Sequence, residues 1–228
     1  MRPALALALL AGLGCSPWRI PPEEVLSSLE RTQPPLDRPQ RLKVRLDIES
    51  PWMSGQFEGV VLVRPGPAVR AQFFPDVGGK VVDLLATPDR IVGYFPATRE
   101  GIDCALPSEA KPHPILFMGL HLLERAAPIT RDRVTGWFAI STADLFRVRS
   151  LVEGASETLI LDPLGTLRER RFEWMYGLGW RESPLGPSKF VVEAPRIRMT
   201  VEVLERQVLE KAPEAAFELK LPPGVRRS

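Results

Sequence analysis

The stretch RLKVRLDIES, Arg41 to Ser50, decides how the chain is read. Leu42, Val44, Leu46 and Ile48 alternate with Lys43, Arg45, Asp47 and Glu49. Successive side chains of a strand point to opposite faces. The pattern therefore describes an antiparallel strand with one apolar face and one face in water. Such a strand is not stable alone; it needs neighbours on its edges and a cover for its apolar side.

The neighbours follow along the chain. QFEGVVLVRPG and AVRAQFFPDVGG read as two further strands, separated by Pro65-Gly66-Pro67 and closed by the turn residues Pro75-Asp76 and Gly78-Gly79. KVVDLLATPDRIVGYFPATREGIDCAL gives two or three short strands, broken at Thr87 to Arg90 and at Pro96. Breaks recur roughly every ten residues, which predicts an antiparallel meander and not alternating strands and helices. Strand signals resume in GWFAIS, LFRVRSLV, SETLILDP, TLRERRFEWMY and KFVVEAP, and end in RIRMTVEVLERQVLE and AFELKLPPGV.

Between the two runs lies HPILFMGLHLLERA, His113 to Ala126, bounded by Pro112, Pro114 and Pro128. Ile115, Leu116, Phe117, Met118, Leu120, Leu122 and Leu123 make it apolar over most of its circumference, which predicts a buried helix. A twisted sheet of about ten strands curls toward a barrel, and an inserted apolar helix is then the natural plug or lid. The expected fold is mainly β, made α+β by its helices, and it is one domain over 41–228.

The N-terminus has a different character. MRPALALALLAGLGCSPW carries one charge at Arg2, an apolar run from Pro3 to Leu13 and the small residue Gly14 before Cys15, the order of a secretory signal over 1–14. The run is much shorter than the roughly 20 residues that span a bilayer. The residues before Cys15 resemble the lipobox of bacterial lipoproteins, although Leu13 stands where a small residue is usual and Gly12 where leucine is usual. That resemblance implies acylation of Cys15 and an envelope location, with simple signal cleavage near Cys15 as the alternative. A bridge from Cys15 to Cys104 and a lipid on Cys15 exclude each other. Over 15–40, Pro21 and Pro22 lead into EEVLSSLER, a short amphipathic helix with Glu23 and Glu24 in its first turn, followed by a linker with Pro34, Pro35 and Pro39.

Composition and motifs exclude several function classes. The 30 basic and 28 acidic residues leave a formal charge of +2 without a dense basic patch, so a nucleic-acid partner is not expected. There is no G-x-S-x-G elbow, H-E-x-x-H, C-x-x-C or phosphate-cradling glycine loop. His113 and His121 fall near one helix face without a third ligand in the surrounding sequence, so no metal is expected. The run Arg168 to Arg171 reads as alternating charge on a solvated strand. No enzymatic activity and no cofactor are expected.

What remains is apolar surface. Phe57, Phe73, Leu116, Phe117, Met118, Leu120, Trp137 and Trp174 are candidate linings of an apolar pocket, the usual chemistry of a site for a lipid or other greasy ligand. Taken singly, each of the aromatic ones reads more simply as core.

A signal with a cysteine, a short helix, a strand meander with an inserted apolar helix, LILDPLGTLRERRFEW and APEAAFELKLPPGV together resemble the lipoprotein-localisation (Lol) carrier and receptor families of bacterial envelopes. The most specific parts are Leu161-Asp162-Pro163 with Gly165, and the closing Phe217, Leu219, Leu221, Pro222 and Gly224. The resemblance covers roughly Glu23 to Val225. It implies a strongly curved, incomplete antiparallel barrel with a helical lid, whose cavity takes acyl chains. An acylated Cys15 makes the chain more like the anchored receptor, held at the outer membrane facing the periplasm; otherwise it is soluble in the periplasm or secreted. The expected partners are a lipid or acylated lipoprotein, the membrane through the N-terminal anchor, and a periplasmic protein. Trp52 and Met53, in Pro51-Trp52-Met53, are the nearest match to the receptor's protruding apolar loop. The alternative is a structural or assembly lipoprotein that docks a partner through its outer surface.

Overall fold

The computed structural model describes residues 23, 27, 37–51, 53–66, 68–105, 118, 122, 134–140, 145–152, 155–162, 166–174 and 179–227. They form one sheet of 14 strands: β1 Gln40–Glu49, β2 Ser54–Arg64, β3 Ala68–Pro75, β4 Val82–Thr87, β5 Arg90–Phe95, β6 Glu100–Ala105, β7 Val134–Ile140, β8 Leu145–Val152, β9 Ala155–Leu161, β10 Leu167–Trp174, β11 Gly179–Pro184, β12 Lys189–Ala194, β13 Ile197–Val208 and β14 Arg226–Arg227. The spatial order is β14-β6-β5-β4-β3-β2-β1-β13-β12-β11-β10-β9-β8-β7. The chain thus lays down two antiparallel meanders and joins them where β1 pairs with β13.

Register carries the alternation of Arg41–Ser50 into its neighbours. Leu46 lies opposite Phe57 on β2 and Val201 on β13, and Ile48 opposite Met199, so the apolar positions share one face. That face is buried: Val44, Leu46 and Ile48 are each 3% exposed. A twisted sheet of this many strands curls, and curling buries one face on the inside. Leu84 on β4, Val192 on β12 and Phe172 on β10 belong to one apolar cluster with these residues, as an incomplete barrel requires.

Because the strands alternate in direction, the hairpins after β1, β3, β5, β8, β10 and β12 gather at one end of the sheet. The chain leaves β6 at the opposite end of one flank and re-enters at β7 on the other edge. Met118 and Leu122, between them in sequence, are helical and pack against the apolar cluster. The remainder of the expected lid helix lies outside the described residues.

The C-terminal residues depart from the strand that AFELKLPPGV predicts. Glu214–Phe217 is a single 3-10 turn entered from Pro213, and Pro222 and Pro223 lack the N–H groups that a strand ladder needs. The segment instead forms a strap over the outer face of β2 to β6. Arg64 stacks on the ring of Phe217 at 4.6 Å, and the strap ends in β14, parallel to β6. Gly101 makes the close approach possible: a Cβ there would stand 2.9 Å from both Leu221 Cδ2 and Val225 Cγ1.

Candidate functional site

The inner face of the curled sheet is the candidate site. Its long central strands β1, β2 and β13 contribute aliphatic side chains, and aromatic side chains lie to either side. Phe73 on β3 lies across Gly59 of the neighbouring strand, in the space a side chain at position 59 would fill. Phe172 on β10 stacks on Trp180 of β11, with ring centroids 4.2 Å apart and planes at 16°. Met118, buried, and Leu122, half-buried, meet this surface from the inserted segment. The face can therefore desolvate alkyl and aromatic groups and holds a helical element against them.

One group of charged residues interrupts the apolar lining. Glu157 on β9, Arg170 on β10 and Glu182 on β11 point to the inner face and are 0%, 4% and 1% exposed. Arg170 lies opposite Glu182 in the register, and its Nε donates to Glu157 Oε1. The other carboxylate oxygen of Glu157 is buried without a hydrogen-bond partner. Burial of Arg170 departs from the reading of Arg168 to Arg171 as a solvated strand. Arg171 is exposed, as alternation requires; Arg168 would share the face of Arg170 but stands in the register shift between Leu167 and Glu169, and it is exposed 2.9 Å from Asp162. Position 170 follows the same period inward.

Asp162 shows why LILDPLGT is a distinctive stretch. Its Oδ1 accepts from the N–H of Thr166 at 2.8 Å, and its own N–H donates to the Thr166 carbonyl at 3.0 Å. This closes the β9–β10 connection and places Glu157 and Arg170 side by side.

The sequence candidates are distributed as follows. Phe57, Phe73 and Met118 are buried in the apolar cluster. Trp137 and Trp174 are placed by their backbones in β7 and β10. Leu116, Phe117 and Leu120 lie outside the described residues, as do Cys15, Trp52, His113 and His121. Met53 is half-buried against the core; its N–H donates to Ser50 Oγ at 3.0 Å, and Ser50 Oγ donates to the Met53 carbonyl at 2.7 Å. Cys104 is half-buried on β6, its Sγ 3.5 Å from the Ala105 carbonyl.

Two features are not in the sequence reading. The Glu157–Arg170–Glu182 group depends on register between three strands, which no local pattern reveals. The other is Val77, 90% exposed at the tip of the β3–β4 connection, beside Gly78 at φ 118°. Pro75-Asp76-Val77-Gly78-Gly79 reads as a turn, and an apolar side chain within a turn is the signal that marks it. This tip and the β1–β2 connection holding Met53 lie at the same end of the sheet.

The outer face of β13, β1, β2 and β3 carries a shallow groove of about 430 Å³, lined by Arg41, Lys43, Glu58, Phe74, Asp76 and Glu205 among others. Its cations are largely matched. Glu58 is 3.1 Å from Lys43 and 3.2 Å from Arg45, and Arg45 is 3.6 Å from Glu202. Hydrogen bonds from Lys43 and then Arg45 hold the Glu58 carboxyl below the usual glutamate range. This is a solvated ionic lattice on the wet side of the strands, not an anion site. Among the described residues no group of acidic, histidine or cysteine side chains is arranged to hold a metal ion, and no helix is long and apolar enough to cross a membrane.

No family model matches the chain, and no curated protein matches it by sequence. Solved structures do. A domain assigned to outer membrane lipoprotein sorting from Vibrio parahaemolyticus superposes with a TM-score of 0.56 at 11% identity, over 85% of this chain and 94% of that one. A LolA superfamily protein from Nitrosomonas europaea gives 0.52 at 13% identity, over 86% and 96%. A DUF1329 family protein from Desulfovibrio piger gives 0.55 at 7% identity, over 86% and 95%. Nearly the whole length of each is matched at identities too low to carry more than architecture. The chain has the Lol-type fold, a curled and incomplete antiparallel barrel with an apolar inner face.

Proposed function

We propose that this chain is a non-enzymatic envelope lipoprotein that binds an acyl chain or acylated protein against the inner face of its half-barrel and aids its transport or insertion at the outer membrane. The observation that carries the reading is the apolar inner face, with helical Met118 and Leu122 packed against it. The likeness to a domain assigned to lipoprotein sorting and to a LolA superfamily protein supports it.

Binding in this account comes from desolvation of the acyl chain, at about 25 cal/mol per Å² of apolar area removed from water. The segment containing Met118 moves to admit it. Leu116, Phe117 and Leu120 join Phe57, Phe73, Trp137 and Trp174 as the lining. Cys15 carries the lipid that anchors the protein to the outer membrane, facing the periplasm, after residues 1–14 are removed. Val77, together with Trp52 and Met53, is the apolar contact to a membrane or incoming acyl group.

The test is uptake of a fluorescent fatty acid by the mature protein. Saturable uptake is expected, reduced by Phe117→Asp. Absence of saturable uptake by well-folded protein sinks the cavity reading and leaves an assembly lipoprotein that docks a partner through its outer surface.

A further inference from the structure

Strand β13 outruns one of its two neighbours. It pairs with β12 only as far as Glu202 opposite Lys189, and the Val203 N–H then donates to the Ser188 carbonyl at 2.7 Å. On its other side it stays paired with β1 as far as Val208. The ladder to β1 slips where β12 is left behind: Lys43 faces Glu205 and Val44 faces Val203, so Leu204 is the extra residue of a β-bulge. A bulge bends its strand and re-aims the side chains beside it. Leu204 to Val208 thus form a one-sided extension of the sheet, at the end opposite the Val77 tip.

Register fixes which way this extension faces. Arg206 lies opposite Leu42 and Val208 opposite Gln40, and those two β1 residues lie opposite Val61 and Val63 of the core cluster. Arg206 and Val208 therefore share the inner side of the sheet. Arg206 is exposed there, as are Val208, at 55%, and Leu204, at 37%. Leu42, half-buried against the core cluster, joins this apolar strip to the inner face.

The charges around Arg206 are accounted for. Its neighbours on the inner side, Gln40, Leu42, Val44 and Val208, carry none. Glu205 and Glu202 lie opposite Lys43 and Arg45 and belong to the outer face. No ion pair holds Arg206 among the described residues. An exposed, unpaired guanidinium among apolar side chains complements an anion carried on an alkyl chain, and its planar fork fits a carboxylate or a phosphate.

We infer that the end of β13 is the mouth of the inner face, where Arg206 holds the anionic head of an amphiphile, a carboxylate or phosphate, and Leu204 and Val208 lead its chain over Leu42 toward the core cluster. This rests on the cavity reading proposed above and adds the ligand's head group and its port of entry.

The experiment displaces a neutral fluorescent alkyl probe from the mature protein with dodecanoate, dodecyl phosphate, dodecanol and dodecylamine, all below their micelle concentrations. At low salt either anion is expected to bind about fivefold more tightly than the alcohol, the upper end for an exposed ion pair, and high salt should shrink the margin. The amine is expected to be the weakest. A phosphate that outbinds the carboxylate assigns a phospholipid head and the reverse a free fatty acid, and both support the inference. Arg206→Gln should bring the anions to the alcohol's affinity and leave the alcohol unchanged. Arg41→Gln, which removes an exposed charge from the outer face, should leave the preference intact. Leu204→Ser combined with Val208→Ser should weaken all four ligands about fivefold. If the probe itself is not taken up, the cavity reading fails and this inference with it. If the probe is taken up and all four compete equally in the wild-type protein, the head-group contact is overturned and the cavity stands. An anion preference kept by folded Arg206→Gln, or lost equally in Arg41→Gln, overturns the assignment to Arg206. A folded double serine variant that binds as the wild type does overturns the port.

Discussion

Gly59→Ala tests whether the inner face is packed as described. A Cβ at position 59 would stand 2.5 Å from Phe73 Cδ1, 2.8 Å from Phe73 Cε1 and 2.7 Å from the Gln72 carbonyl oxygen. All three lie inside ordinary contact distance, and the carbonyl belongs to the paired strand β3, so the methyl cannot be accommodated by rotating one side chain. Two effects oppose each other. Removing a glycine restricts the unfolded chain and stabilises by about 0.4–1 kcal/mol, while overpacking a core costs about 1–3 kcal/mol. Overpacking wins, with a net loss of about 1–2 kcal/mol. In a domain of this size that lowers Tm by about 2–8 °C. Thermal unfolding followed by near-UV circular dichroism measures it. Since two of the three contacts are to the ring, Phe73→Leu should cost less in the Gly59→Ala background than in the wild type, with a coupling of at least about 0.5 kcal/mol. A Gly59→Ala protein as stable as wild type, or strict additivity of the pair, refutes the placement of Phe73 over Gly59.

Gly101→Val should lift the C-terminal strap from β6, because the added atoms meet Leu221 and Val225; limited proteolysis should then cleave within 209–227 faster than in wild type. The carboxyls of Glu58 and Glu193 are both held below the usual glutamate range, Glu58 chiefly by Lys43 and Glu193 chiefly by Arg181. A depressed carboxyl contributes stability that is complete above its unfolded pKa and is lost as pH falls through its folded value, so denaturant midpoints should fall only on the acid side of the ordinary glutamate range. High salt should shrink that loss, since these pairs are exposed, and Glu58→Gln should remove part of it. Val77→Asp should leave Tm unchanged and reduce sedimentation of the mature protein lacking Cys15 with anionic vesicles. Mass spectrometry of the native N-terminal peptide should show acyl mass, lost in Cys15→Ser.

Most of the sheet was legible because its signals are local. The alternation in Arg41–Ser50 names the inner face of β1, and Pro-Gly-rich breaks such as Pro65-Gly66 separate the strands without reference to anything distant. The same logic fails for the closing segment. Phe217 and Leu221 have strand-like spacing, but their partners, Arg64 and Gly101, lie more than a hundred residues away and hold them as a strap. At the site, Phe57, Phe73 and Met118 were legible as apolar residues on predicted inner faces, though composition cannot separate core from lining. Arg170 reads as solvent-facing because all four residues of RERR are charged; its burial depends on Glu157 being opposite Phe172 one strand away. Register of that kind is set by the whole sheet.

The measurement closest to the central claim is native mass spectrometry of the mature protein mixed with a synthetic diacylated lipopeptide bearing a free amino terminus. One lipopeptide per protein is expected, with the complex lost when the acyl chains are removed from the peptide and weakened by Phe117→Asp. A folded protein that binds the acylated and the deacylated peptide alike, or neither, contradicts the account.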